Sequence, residues 1–223
     1  MKVELVTSTQ GRNKYAGFSA EEIVSAIARH GVIKEDGGRL VKYLMDNKHW
    51  SPLDMINFGF EIETSRAIGR QLLRHWSIKF QEHSQRYSDK VEFEPIELRR
   101  EHPTNRQSSV DVFDPLIFTV TGNGEDNASL VIKGLLEDIE NVYFDMLKAG
   151  IAKECARMIL PGCTTTIMTM NGSLRSWLAF LNVRMDEHTQ KEAREIGSIV
   201  GSTLAEEMPK VFEIIDWENG MFM

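Results

Sequence analysis

Met55-Ile56-Asn57-Phe58-Gly59-Phe60-Glu61-Ile62-Glu63 sets an apolar side chain at every second position from Ile56 to Ile62. A two-residue period is that of a strand with one face buried and the other polar. Thr64 or Ser65 then supplies a hydroxyl at an N-cap, and Ala67, Ile68, Leu72 and Leu73 recur at helical spacing, so a helix through His75 is expected.

Upstream of this strand and helix, Ser19-Ala20-Glu21-Glu22 has the form of a capping box ahead of Ile23, Val24 and Ile27, which predicts a helix to about Gly31. Leu40, Val41 and Leu44 predict a second, from about Gly38 to Asn47, broken at His49-Trp50-Ser51-Pro52. Downstream, residues 93–100 read as an edge strand, because Pro95 cannot donate to a ladder, and Asn105 to Ser109 reads as loop. Thr121-Gly122-Asn123-Gly124 reads as a plain turn, with no GxGxxG or Walker loop in the chain. Helices are expected at Leu130–Lys148 and Ile151–Ile159, the latter ending before Pro161-Gly162. Thr164–Met170 is β-branched enough for a strand, Asn171-Gly172-Ser173 makes a turn and cap, and helices follow at Leu174–Arg184 and about Glu187–Glu207. Strands and helices interleave without a βαβ repeat, so the expected class is α+β: a small mixed or antiparallel sheet packed with helices.

The 223 residues are 42% hydrophobic and 26% charged, which suits a single domain over residues 1–223 with a core of its own. Cys155 and Cys163 match no zinc or redox spacing and read as free thiols, so no metal is expected. The start, MKVELVTST, has no apolar leader and no run is long enough to span a bilayer, so a cytoplasmic location with no membrane partner is expected. A net charge of −7 argues against coating nucleic acid, and any anion must be held locally.

Arg66, Arg70 and Arg74 fall at i, i+4 and i+8, along one face of the expected helix. Like charges so spaced repel by about 0.2–0.5 kcal/mol per pair. Either an anionic ligand lies opposite, or the stripe is a solvated face or pairs with Glu61 and Glu63. The next stretch, Arg74-His75-Trp76-Ser77-Ile78-Lys79-Phe80-Gln81-Glu82-His83-Ser84-Gln85-Arg86-Tyr87, adds a carboxylate, amides and hydroxyls. Guanidinium groups fork onto phosphate oxygens while amides and hydroxyls read ring edges, a mixture suited to a phosphorylated base.

This stretch resembles the signature of the flavin-dependent thymidylate synthases, Arg-His-Arg, two residues, Ser, one, Asn, two, Ser, one, Arg-Tyr. Arg74, His75, Ser84, Arg86 and Tyr87 are in place; Trp76 stands for the second Arg, Lys79 for the first Ser and Gln81 for the Asn. His49-Trp50-Ser51-Pro52-Leu53, Asn105-Arg106-Gln107, Arg157-Met158-Ile159-Leu160-Pro161, and Asn171 to Trp177 through Asn182-Val183-Arg184 are similar to further family segments in the same order. The resemblance implies a homotetramer that methylates deoxyuridylate (dUMP) with FAD, NADPH and methylenetetrahydrofolate. It assigns Gln71, Arg74, Glu82, Ser84, Gln85, Arg86, Arg157 and Arg184 to the nucleotide, and Ser51, Arg74, His75, Trp76, Glu82, Ser173 and Arg175 to FAD. Arg184 is the catalytic candidate, as a fixed cation against charge developing on the pyrimidine ring. Ser84 belongs with the phosphate, since no base and orienting group stand beside it. Trp76 cannot pair with a pyrophosphate as an arginine does; it can stack on a ring, or Lys79 can supply the charge. A related product such as hydroxymethyl-dUMP, action on deoxycytidylate (dCMP), and a non-catalytic nucleotide- or RNA-binding relative stay open. On the last helix but one, Arg175 and Asn182 lie about 700° apart and share a face while Arg184 lies opposite Arg175, a geometry that suits a helix at a subunit boundary.

Overall fold

The computed structural model describes residues 1–32, 37–120 and 122–220. Its strands are β1 (Lys2–Ser8), β2 (Asn57–Ser65), β3 (Lys79–Glu82), β4 (Arg99–Glu101), β5 (Ser109–Val112), β6 (Leu116–Phe118), β7 (Glu125–Asn127) and β8 (Thr165–Ser173). Its helices are α1 (Ala20–Ala28), α2 (Gly37–Asp46), α3 (Arg66–Leu72), α4 (Ala128–Lys148), α5 (Lys153–Ala156), α6 (Leu174–Arg184), α7 (Lys191–Glu207) and α8 (Pro209–Phe212). The α+β expectation holds, with a four-stranded sheet and two small antiparallel ones beside the helices. The chain divides into two compact units: Met1, Thr64–Gly69 and Glu82–Ile167 form one, and Lys2–Glu63, Arg70–Gln81 and Met168–Met223 the other.

The second unit carries most of the sheet ordered β1-β2-β8-β3. The alternating stretch is β2 as expected, and its inward Phe58, Phe60 and Ile62 are fully buried. β1, which the sequence reading leaves unassigned, runs antiparallel to β2 with Leu5 opposite Phe60, and its register shifts between Leu5 and Thr7. Gly59 permits that irregularity, since a Cβ there would meet Thr7 Oγ1 at 2.3 Å. Trp177 of α6 sits on the sheet, donating its ring N–H to Phe58 O at 2.9 Å and meeting the Phe60 ring edge-on at 4.8 Å. Ile196, Val200 and Leu204 of α7 complete the core. The capping box at Ser19 and Glu22 forms as predicted, opening α1. Glu21, almost fully buried, accepts the Val211 N–H of α8 at 2.9 Å.

In the first unit, β4 pairs with β5 and β6 with β7, each antiparallel, where the sequence reading places an edge strand over 93–100, loop over 105–109 and a plain turn over 121–124. Pro95 leaves only an isolated bridge at Phe93 and a strand that starts later, at Arg99. Gly122 and Gly124 take positive φ in the β6–β7 connection, as a turn requires, while Thr121 lies outside the described residues. α4 agrees with the predicted helix, and its Tyr143 packs with Val91 and Ala156 in a small core. The predicted Ile151–Ile159 helix is one turn, α5, continued by a 3-10 turn at Arg157–Ile159. Among the described residues no helix is long and apolar enough to cross a membrane.

Candidate functional site

α3 stops at Leu72, short of the predicted His75, so the stripe of three arginines does not form on one helix. The chain turns back to reach β3, pinned on either side by Leu72 and Ile78, both buried, and Arg74 sits in the turn. His75 N–H closes it onto Leu72 O at 3.0 Å. The three arginines part company: Arg66 faces Glu82 at 3.8 Å, Arg70 lies in the last turn of the helix, and Arg74 belongs to a cavity.

That cavity, of about 670 Å³, lies within the second unit. The turn lends it Gln71, Arg74, His75 and Trp76; the last turns of α6 lend Ala179, Asn182, Val183 and Arg184. Among the described residues no carboxylate lines it. Arg184 donates from Nη2 to Gln71 O, while its Nε is buried without a partner among the described residues. Burial, and then the charge of Arg74, pull the Arg184 pKa below its ordinary value. A guanidinium still holds its proton, so the cavity keeps a cation that lacks a counter-ion among the described residues. Burial first, and Arg184 second, also push His75 below the usual histidine value, which favours the neutral ring; its Nε2 too is buried without a partner among the described residues. The His75 ring meets Phe180 edge-on at 5.7 Å. Trp76 is 89% exposed at the rim, an unusual position for an indole.

A second cluster in the same unit surrounds the start of α6. Ser173 caps the helix, accepting the Ser176 N–H, and donates its hydroxyl to Asp54 Oδ1 at 2.9 Å. Arg175 reaches the other Asp54 oxygen at 3.3 Å and stands 5.6 Å from the Trp50 ring. Ser51, itself exposed, opens the 3-10 turn that carries Asp54. Arg175 and Arg184 therefore leave α6 toward different partners, as their spacing implies. Arg184 nonetheless lines the same cavity as Asn182, which that spacing does not anticipate.

In the first unit, Glu82 accepts the Thr166 hydroxyl at 2.8 Å. Ser84 Oγ accepts the Arg86 N–H at 3.3 Å, Arg86 pairs with Glu154 at 3.4 Å, and Lys153 donates to Tyr87 O. No histidine contacts Ser84 among the described hydrogen bonds. Gln85 and Arg157 are half-buried, and Arg157 has no acidic partner among the described ion pairs. The described residues hold no cluster of three or more potential metal ligands. Three groups absent from the sequence reading of the site are Asp54, Gln190, which accepts from the Gln71 side chain, and Glu192, which accepts from Gln190. Asp54 follows Ser51 by three residues, which is its local trace; the pairing of Gln190 with Gln71 spans 119 residues and leaves none.

Comparison with known proteins adds a second line. The sequence profile of the family described as "Thymidylate synthase complementing protein" matches residues 4–210. The "Flavin-dependent thymidylate synthase" of Synechocystis sp. is 40% identical over 179 residues, 80% of each chain. The "Probable flavin-dependent thymidylate synthase" of Paramecium bursaria Chlorella virus 1 is 33% identical over 205 residues, 89% of this chain and 92% of the viral one. The "Flavin-dependent thymidylate synthase" of Thermosipho melanesiensis is 32% identical over 181 residues, 80% of this chain and 76% of the other.

Proposed function

The chain belongs to the flavin-dependent thymidylate synthase family, and on that premise we propose that it methylates dUMP at C5, with FAD as cofactor and NADPH and methylenetetrahydrofolate as co-substrates. The observation that carries the substrate class is the cavity of the second unit, which holds Arg184 and Arg74 and, among the described residues, is lined by no carboxylate. A buried cation without a counter-ion is costly and is relieved by an anionic ligand.

Arg184 acts on the base. A fixed guanidinium beside the pyrimidine stabilises the negative charge that builds as C5 becomes nucleophilic, at no reorganisation cost during the reaction. Arg74 and Gln71 are assigned to the nucleotide with it, and the resemblance adds Glu82, Ser84, Gln85, Arg86 and Arg157 from the first unit. Ser84 and Arg86 suit a phosphate, since the turn at 84–87 carries a hydroxyl and a guanidinium.

The residues also fit a flavin nucleotide. Arg175, Ser173 and Ser51 supply a guanidinium and hydroxyls, and His75 supplies a neutral ring with an unpartnered nitrogen. Arg74, Glu82 and the exposed indole of Trp76 are assigned to the same group, Trp76 by stacking rather than by ion pairing. When bound, the flavin passes reducing equivalents from NADPH to the carbon delivered by the folate.

A homotetramer in the cytoplasm, each chain a single functional domain over 1–223, belongs to the same reading. The family match spans residues of both units. Val112, Leu116, Phe118 and Val120 of the first unit are all more than 60% exposed, apolar surface of the kind that self-association covers.

The test is direct. The purified protein is expected to be yellow with flavin absorbance, and incubation with dUMP, NADPH and methylenetetrahydrofolate to yield thymidylate by mass. A colourless chain that cannot be reconstituted with FAD sinks the reading. A product heavier than thymidylate by one oxygen replaces methylation by hydroxymethylation.

A further inference from the structure

Gln71 reaches the cavity from the last turn of α3, and its side-chain amide is not free to turn over. Its Nε2 donates to Gln190 Oε1 at 2.6 Å, and Gln190 Nε2 donates in turn to Glu192 Oε2 at 2.9 Å. An amide turned by 180° swaps donor for acceptor, so neither glutamine fixes the other's polarity. A carboxylate does, because it only accepts. With Glu192 at the end of the relay, the NH2 of Gln190 faces the carboxylate, its carbonyl faces Gln71, and the NH2 of Gln71 faces Gln190.

The geometry of α7 supports this order. Gln190 occupies the N-cap position and Glu192 the first turn, where the helix field favours a negative charge. The end of the Gln71 amide left over is Oε1, which no described hydrogen bond engages. The same residue gives its backbone oxygen to Arg184, so the acceptor it offers is tied to the cation of the cavity.

We propose that Glu192 and Gln190 are positioning residues that hold the Gln71 carbonyl toward the cavity, so that the bound nucleotide must present a hydrogen-bond donor there. The proposal rests on the nucleotide reading above. Two parts of dUMP carry such a donor, the imide N–H of the uracil and the 3′ hydroxyl of the sugar. Cytosine offers a bare acceptor in place of the imide, and two facing acceptors both go unpaired. The relay is then a filter against dCMP, or against a sugar that lacks the hydroxyl, and it acts through two residues that touch neither.

The experiment is calorimetric titration of FAD-loaded protein with dUMP, dCMP and the 2′,3′-dideoxy form of dUMP. The unmodified chain is expected to prefer dUMP over at least one analogue by about tenfold or more, the loss of one hydrogen bond to a half-buried group. Glu192→Gln replaces the accept-only end by an amide and lets the relay reverse. That variant is expected to keep its flavin content and melting temperature while the preference collapses to about threefold or less. Collapse against dCMP identifies the imide as the donor read; collapse against the dideoxy analogue identifies the hydroxyl. Both preferences unchanged in a folded Glu192→Gln protein overturn the proposal. Should that variant fail to fold, Gln190→Met removes the middle of the relay and is held to the same outcome. An unmodified chain that binds no dUMP removes the functional reading, and the proposal with it; binding with unaltered preferences removes the relay alone.

Discussion

His75 and Arg184 share one cavity, and each resists charge for the same reason. Burial and a neighbouring cation hold the His75 pKa below its ordinary 6.5, against a backbone bond to Ser176 that pulls the other way. As pH falls, the unfolded chain therefore takes up this proton before the folded one does. The stability His75 contributes is complete above 6.5 and is lost as pH drops through 6.5 toward the folded value. Thermal melts at pH 8 and pH 5.5 are expected to show a smaller acid loss in His75→Asn than in the unmodified chain. Arg184→Ala removes the second cause, so the imidazole is expected to titrate closer to 6.5, read from its NMR shifts. Arg184→Lys keeps a charge but loses the planar fork; we expect kcat to fall by about 10²–10³ with the flavin still bound, measured at saturating dUMP. An unchanged kcat there would remove Arg184 from the chemistry.

At the scale of elements, local signals carried furthest. The capping box of α1 and the period of β2 are written in neighbouring residues, and both form where those residues place them. Ser19→Ala is expected to cost about 1 kcal/mol in denaturant unfolding, the usual worth of such a cap. Gly201 makes a sharper case, since a Cβ there would lie 2.0 Å from the Trp217 ring. Gly201→Ala is accordingly expected to cost about 1–3 kcal/mol by the same measurement. Elements whose shape depends on a distant partner were not legible. β1 alternates only over Lys2 to Leu5 before Val6 breaks the pattern, and it forms by pairing with β2; β4 to β7 are short hairpin strands whose side chains are almost all exposed. α3 looks helical through His75, yet it stops at Leu72 because the chain must return to add β3 to the sheet.

For the whole molecule, arginines in a chain of net charge −7 were the readable part of the site, since cations kept locally against an acidic background need a reason. Their partners were not readable. Asp54 meets Arg175 across 121 residues, and Gln190 meets Gln71 across 119, distances over which a single sequence gives no pairing. The exposed apolar residues of the first unit bear on assembly: light scattering is expected to give four times the 25.5 kDa of one chain, and Phe118→Asp, at a position 72% exposed, to lower it. The four tryptophans differ in setting. Trp177 and Trp217 are buried, Trp50 is half-buried, and Trp76 stands in solvent at the cavity rim. Water relaxes around an exposed indole and shifts its light to longer wavelengths, so the red edge of the protein's intrinsic fluorescence belongs to Trp76. Anything that settles over the rim will dim that edge first, and the chain carries its own optical gauge of occupancy.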